Sequence, residues 1–198
     1  MKFRTLASLV IAVTLLLSQA AAQDQDKDTW QIDPKHTAAQ FSVRHLGIST
    51  VRGEFSKVSG SVQYDAANLA KASIRATIEA ASINTRVEAR DNDLRSPHFF
   101  DVEKYPTITF QSKKVEASGP GKLKVTGDLA IHGVTKEVVL DVEGPVVAAK
   151  DPQGSQRMGA SATTKINRMD YGVNGAPGVA GDEITITLDI EMLKPAAK

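Results

Sequence analysis

The chain has no cysteine among its 198 residues. That excludes a disulfide framework, thiol catalysis, thiolate metal centres and a lipid-anchored N-terminal cysteine. It has no surplus of charge either: 24 Lys and Arg stand against 23 Asp and Glu. A near-neutral chain offers no electrostatic case for nucleic acid as a partner. Aromatics are scarce, with one Trp, three Tyr and six Phe, so the few present dominate the shape of the core. No H-x-H, H-E-x-x-H, G-x-S-x-G or phosphate-loop G-K-[ST] motif occurs, and the four histidines lack the spacing of a metal site. Internal repeats and low-complexity tracts are missing too.

The one long apolar run, Leu6 to Leu17, follows Lys2 and Arg4 and precedes Ala20-Ala21-Ala22. It is too short to span a bilayer, and the order of features is that of an export signal. The expectation is a signal peptide over residues 1–22 cleaved after Ala22, a flexible leader over 23–29, a domain over 30–193, and a tail over 194–198. Removing residues 1–22 takes two basic residues and no acid, leaving a formal charge of −1. The address expected is the bacterial periplasm, and the mature chain carries no integral membrane segment.

The rest of the chain alternates with a period of two. Ala39, Phe41, Val43 and His45 share one face of a first strand, after a short extended start at Trp30–Ile32 broken by Asp33-Pro34. Val51 to Tyr64 forms a second, with Gly53 and Gly60 read as bends or bulges. Ala72, Ile74, Ala76, Ile78 and Ala80 line a third, and three alanines on an inward face leave room instead of filling it. Five more strands follow: Thr107–Glu116 with Ile108 and Phe110 inward, a fifth with Leu123, Val125, Gly127, Leu129 and Ile131, a sixth from Val138 extending toward Ala149, Gln156–Ile166, and Glu183–Met192 with Ile184, Ile186 and Leu188 inward. Eight strands joined mostly by short turns predict an all-β chain. It forms an antiparallel meander, closed as an eight-stranded barrel or folded as a sandwich, with one helical insertion after the third strand. An eight-stranded barrel whose inward residues are small has space for one slender ligand.

The insertion runs from Thr85 to Pro106. Thr85 and Glu88 have capping-box spacing, predicting a helix from Arg86 that Ser96-Pro97 stops. On it Val87, Arg90, Asp91 and Leu94 fall on one face, so a cation and an anion share the inward side with two apolar residues. Phe99 and Phe100 follow as an aromatic hinge. The insertion reads as a cap over one end of the barrel.

Ile32-Asp33-Pro34 with His36, Phe41-x-Val43-x-His45, Gly53-x-Phe55, Ser82-Ile83-x-Thr85, Arg90-Asp91-x-x-Leu94, Phe99-Phe100-Asp101, Gly127-Asp128-Leu129, Gly133-Val134-Thr135-Lys136 and Arg168-x-x-Tyr171-Gly172 occur in this order. The series resembles the YceI-like family of polyisoprenoid-binding periplasmic proteins, over about Trp30 to Leu193. Ala39, Thr37 and Tyr171 depart from the family pattern, where a larger aliphatic residue, serine and phenylalanine are common. The resemblance implies a lipocalin-like eight-stranded barrel, a hydrophobic tunnel for a long isoprenoid or similar amphiphilic lipid, and a homodimer as a frequent form. No cofactor is expected beyond a bound isoprenoid lipid or quinone-type ligand.

The expected tunnel lining is Phe41, Val43, Ile74, Ala76, Ile78, Phe99, Phe100, Phe110, Leu129 and Ile186, with ordinary core packing as the alternative for the phenylalanines. The expected polar mouth is His45, Arg90 and Asp91. For Arg90 and Asp91 the alternative is an ion pair that ties the helix to the barrel and satisfies loop carbonyls. The Gly-rich loop from Gly172 to Gly181 reads as a mobile lid or rim. No catalytic residue and no metal ligand is expected. A carrier is the leading function; a non-catalytic stress-protective or interaction module with a filled core, and a lipid-modifying enzyme, are the alternatives.

Overall fold

The computed structural model describes residues 29–148 and 150–194. The expected signal peptide, most of the leader, Ala149 and residues 195–198 lie outside the described residues. Thr29 and Lys194, expected in leader and tail, are strand residues.

Eleven strands and one α-helix make up the described residues. The strands are β1 (Thr29–Ile32), β2 (Ala38–His45), β3 (Ser49–Phe55), β4 (Val58–Gln63), β5 (Ser73–Glu79), β6 (Ile83–Asn84), β7 (Thr107–Gly119), β8 (Lys122–Ile131), β9 (Val134–Val147), β10 (Gln156–Asn167) and β11 (Ala180–Lys194). The helix α1 spans Glu88–Arg95. All ladders are antiparallel, and β1 closes the sheet on β11 through Gln31–Leu193 and Ile32–Met192.

The eleven strands form the eight expected staves, because three staves are broken. The edge of β11 is shared by β1 and β2; β4 follows β1 and β3 follows β2; β5 follows β4 and β6 follows β3. The breaks fall at Asp33–Thr37, at Ser56-Lys57 and at the 3-10 turn Ala80–Ser82. From β7 onward the staves are unbroken, with β7, β8, β9, β10 and β11 pairing in sequence. The barrel is therefore an eight-stranded antiparallel meander. Beyond Glu54 and Phe55, no described strand pairs with the free side of β3, and α1 lies in the connection between the third and fourth staves.

Gly53 is not a bulge: β2 and β3 pair without slippage, with Gly53 opposite Phe41. Its role is space. A Cβ at position 53 would sit 2.5 Å from Phe41 Cζ, and one at 127 would sit 2.5 Å from Phe110 Cζ. Each ring lies flat on a bare patch of wall instead of crossing the interior. Gly60 departs from the expectation in a different way. Its φ of +151° and a cross-strand carbonyl, Arg75 O, 2.1 Å from any added Cβ admit only glycine.

The helix differs from its predicted start. Arg86 has φ +65°, so the chain turns sharply before Val87, which caps the helix without a side-chain bond. Val87 stands exposed, not inward. The predicted stop holds: Ser96 is extended, and the carbonyls of Leu94, Arg95 and Ser96 accept from Phe100, Val102 and Asp101.

Candidate functional site

Two apolar clusters line the interior. The larger runs from Ile32 and Met192, beside the break in the first stave, to Phe55, Phe99, Ile131 and Tyr171. The smaller gathers Val115, Val125, Leu140 and Ala162 toward the end that carries the β7–β8 and β9–β10 turns. Between and alongside them runs a cavity of about 460 Å³. Its wall includes Ala39, Ala72, Ala76, Ala160 and Ala162, and these short side chains, with the two rings laid against glycine, leave the bore open. Its volume lies within the range typical of small-molecule sites, roughly 300–1,000 Å³.

The residues bordering this cavity include Phe41, Val43, Ile74, Ala76, Ile78, Phe99, Phe100, Phe110, Leu129 and Ile186, the ten expected in a tunnel wall. His45 and Arg90 also face it. Phe55 stacks at 5.8 Å from Phe41 and edge-on at 5.9 Å from Phe100, which docks the hinge after α1 onto the barrel.

Asp91 is not in the wall. It is buried behind Thr85, whose backbone N–H (2.8 Å) and hydroxyl both donate to Asp91 Oδ1. Thr85 Oγ1 in turn accepts from Arg90 Nε at 2.7 Å, and Thr85 O accepts from Arg90 Nη2 at 2.9 Å. Arg90 and Asp91 thus do not pair directly. They meet through Thr85, which leaves its capping-box role for this relay because the left-handed Arg86 separates it from the helix start. Asp91 fixes Thr85, and Thr85 fixes the plane of Arg90. Among the described residues no carboxylate forms an ion pair with Arg90, so a partly buried cation faces an apolar cavity. Farther along the helix Arg95 donates to Ala81 O and Ile83 O, tying α1 to the break in the third stave.

The Gly172–Gly181 loop is pinned rather than loose. Arg168, buried at 5% exposure, donates to Val173 O (2.6 Å), Gly175 O (2.8 Å), Ala180 O (3.0 Å) and Gly181 O (2.9 Å). Sequence reasoning had placed Arg168 only within a family motif. The available signal was an arginine at a strand end before a loop too rich in glycine to satisfy its own carbonyls. Tyr171 beside it is buried, which, with Asp170 nearby, holds its phenol neutral and pushes its pKa up to about 12.

A second polar group sits where the first stave breaks. Asp33, buried, pairs with His36 Nδ1 at 2.9 Å, accepts from Lys35 N at 3.0 Å, and takes a short hydrogen bond from Arg157 Nη1. Arg157 also bonds Glu191 at 3.0 Å and Asp151 at 3.0 Å. The His36 contact, the Lys35 amide and Arg157 together lower the Asp33 pKa to about 2. Asp33, His36 and Glu191 lie close enough to share a metal ion, but Arg157 already bonds both carboxylates.

A closed antiparallel meander around an apolar bore defines the lipocalin-like class of barrels. The particular family follows from comparison. A YceI-like domain model matches residues 30–192, and this chain belongs to that family. A UPF0312 protein of Vibrio cholerae is 37% identical over 172 residues, covering 86% of this chain and 88% of its own. The crystal structure of a Campylobacter jejuni YCEI protein superposes with TM-score 0.68 at 37% identity, covering 76% of this chain and 89% of that one. A polyisoprenoid binding domain from Saccharophagus degradans, implicated in plant cell wall breakdown, shares the fold with TM-score 0.64 at 16% identity, over 84% and 98% of the two chains.

Proposed function

We propose that this barrel is a non-catalytic periplasmic carrier that holds a long-chain polyisoprenoid or similar amphiphilic lipid. The tail lies along the bore and the head group meets Arg90 and His45. The observation that carries this reading is the apolar cavity whose wall includes Arg90, a cation with no ion-pair partner among the described residues. The Saccharophagus domain, described as polyisoprenoid-binding, supports the ligand class. Each five-carbon unit moved from water into such a bore gains roughly 4 kcal/mol gross, most of which is offset by lost chain freedom and by the lipid's alternative home in a membrane. Asp91 acts here as a positioning residue for Arg90 through Thr85.

Two alternatives have less support. A filled-core module is hard to reconcile with a cavity of about 460 Å³. A lipid-modifying enzyme would need a reactive group, and the Thr85 hydroxyl is already committed, donating to Asp91 and accepting from Arg90. An apolar naphthylamine fluorophore tests the reading. Saturable uptake, displaced by a prenyl phosphate or a quinone, is expected; a barrel that takes up no probe would refute it.

A further inference from the structure

Eight large apolar side chains are exposed among the described residues, and five of them, Leu46, Ile48, Val87, Met169 and Val179, lie on connections at the helix-capped end. Three of the five gather at the tip of the β2–β3 hairpin. Leu46 and Gly47 form its two-residue turn with φ +51° and +69°, closed by Ile48 N donating to His45 O at 3.1 Å. Such turns favour Asn-Gly or Asp-Gly. Here a leucine occupies the left-handed position at 54% exposure, followed by Ile48 at 79%. Arg44 braces the turn, donating to Gly47 O at 2.6 Å and Thr50 Oγ1 at 2.9 Å. Leu46 N donates to Val179 O at 2.8 Å, bringing Val179 to the tip. Val179 is both exposed and part of the cavity wall, so the apolar tip is continuous with the bore.

The hairpin up to Gly53 is basic: between Ala38 and Gly53 the chain carries Arg44 and Arg52 and no Asp or Glu. The nearby acids of β11, Asp182 and Glu183, are paired with Arg168 and Lys165. We propose that Leu46, Ile48 and Val179 dock on a lipid bilayer bearing anionic head groups, with Arg44 and Arg52 facing the phosphates, so that the mouth of the cavity opens against the membrane that supplies or receives its lipid. Apolar insertion combined with basic flanks is the chemistry of interfacial membrane binding. A second copy of the chain fits less well, since a stable dimer buries roughly 800 Å² per partner and three side chains at a hairpin tip fall short of that. This inference rests on reading the cavity as a lipid site.

The test is co-sedimentation of the protein with phosphatidylethanolamine–phosphatidylglycerol vesicles at low and high salt. The double variant L46N/I48N changes only exposed residues. Its vesicle affinity is expected to fall at least about tenfold while fluorophore uptake into the cavity stays as in the wild type. V146N/V147N, which alters an equally exposed pair at the far end, is expected to sediment as the wild type does. Three results would overturn the proposal: wild-type protein that ignores the vesicles, an unchanged L46N/I48N variant, or a variant whose only change is a dimer turned monomer. Loss of fluorophore uptake in the wild type would instead strike the lipid-site reading itself.

Discussion

The two ends of the barrel are held by different chemistry. At the helix-capped end, Arg95 and Arg168 donate to neutral main-chain carbonyls, and Arg90 donates to Thr85. Toward the other end, where the first stave breaks, Arg157 binds three carboxylates, Asp33, Asp151 and Glu191. Carbonyls do not titrate. The arginine contacts of the capped end are therefore largely independent of carboxylate titration, the exceptions being Asp182, 3.5 Å from Arg168, and the buried Asp91 behind Thr85. The far end is a charge latch, strong at neutral pH and sensitive to acid. An end that a lipid head group must meet is better served by the first arrangement, and a permanently closed seam tolerates the second.

The comparison can be broken most severely at Arg168. Arg168→Met keeps the volume but strands four carbonyls, two of them buried, and urea unfolding is expected to show a loss of about 4 kcal/mol. Fluorophore uptake should fall too, as the Gly172–Gly181 wall loosens. Arg168→Lys, which cannot reach all four carbonyls, should recover less than half of the stability.

Asp91 and Arg90 separate structure from binding at the same end. Asp91→Ala leaves the buried Thr85 N–H and hydroxyl without their acceptor and should cost about 2–3 kcal/mol. Arg90→Gln should cost about 1 kcal/mol yet abolish the preference for a prenyl phosphate over the matching prenyl alcohol in displacement assays. If both variants lost stability equally and neither changed that preference, Arg90 would be a strut and not an anchor.

The far end is sharpened by pH. The Asp33 pKa is lowered to about 2, below the ordinary value near 3.9. Its contribution, roughly 2–3 kcal/mol, is fully present above pH 4 or so and is lost as pH falls through about 2. Asp33→Asn should flatten that part of the stability profile in acid denaturation while leaving fluorophore uptake at neutral pH intact.

The smallest expected effect on stability is in the bore itself. Ala76→Leu points a larger side chain into open space, so it should change unfolding free energy by less than about 1 kcal/mol. Lipid or probe uptake should drop several-fold. A large loss of stability would mean the wall is already packed shut.

Most of the frame was legible because strand periodicity is local. Alternation in 72–80 and 184–192 placed the inward faces, and the inward alanines foretold an unfilled centre. The break at Asp33-Pro34 was legible from its proline; those at Ser56-Lys57 and Ala80–Ser82 were not read, although the buried face shifts from odd to even positions between Phe55 and Val58 and back between Ala80 and Ile83. The site was half legible. Arg90 and Asp91 stood out as charges on an inward helix face, but their connection through Thr85 depends on one left-handed residue, Arg86, which spacing does not reveal. Arg157 acts on carboxylates as far away in sequence as Asp33, which only the closed barrel brings to it, whereas Arg168 acts on the loop that follows it, from Val173 to Gly181.

The most direct test of the central claim is native mass spectrometry of the protein purified from its own cells without detergent. An adduct with the mass of a long-chain isoprenoid or comparable amphiphile is predicted, released by organic solvent and diminished in Ala76→Leu. A bare polypeptide mass in every preparation, from a protein that also fails to take up added lipid, would contradict it.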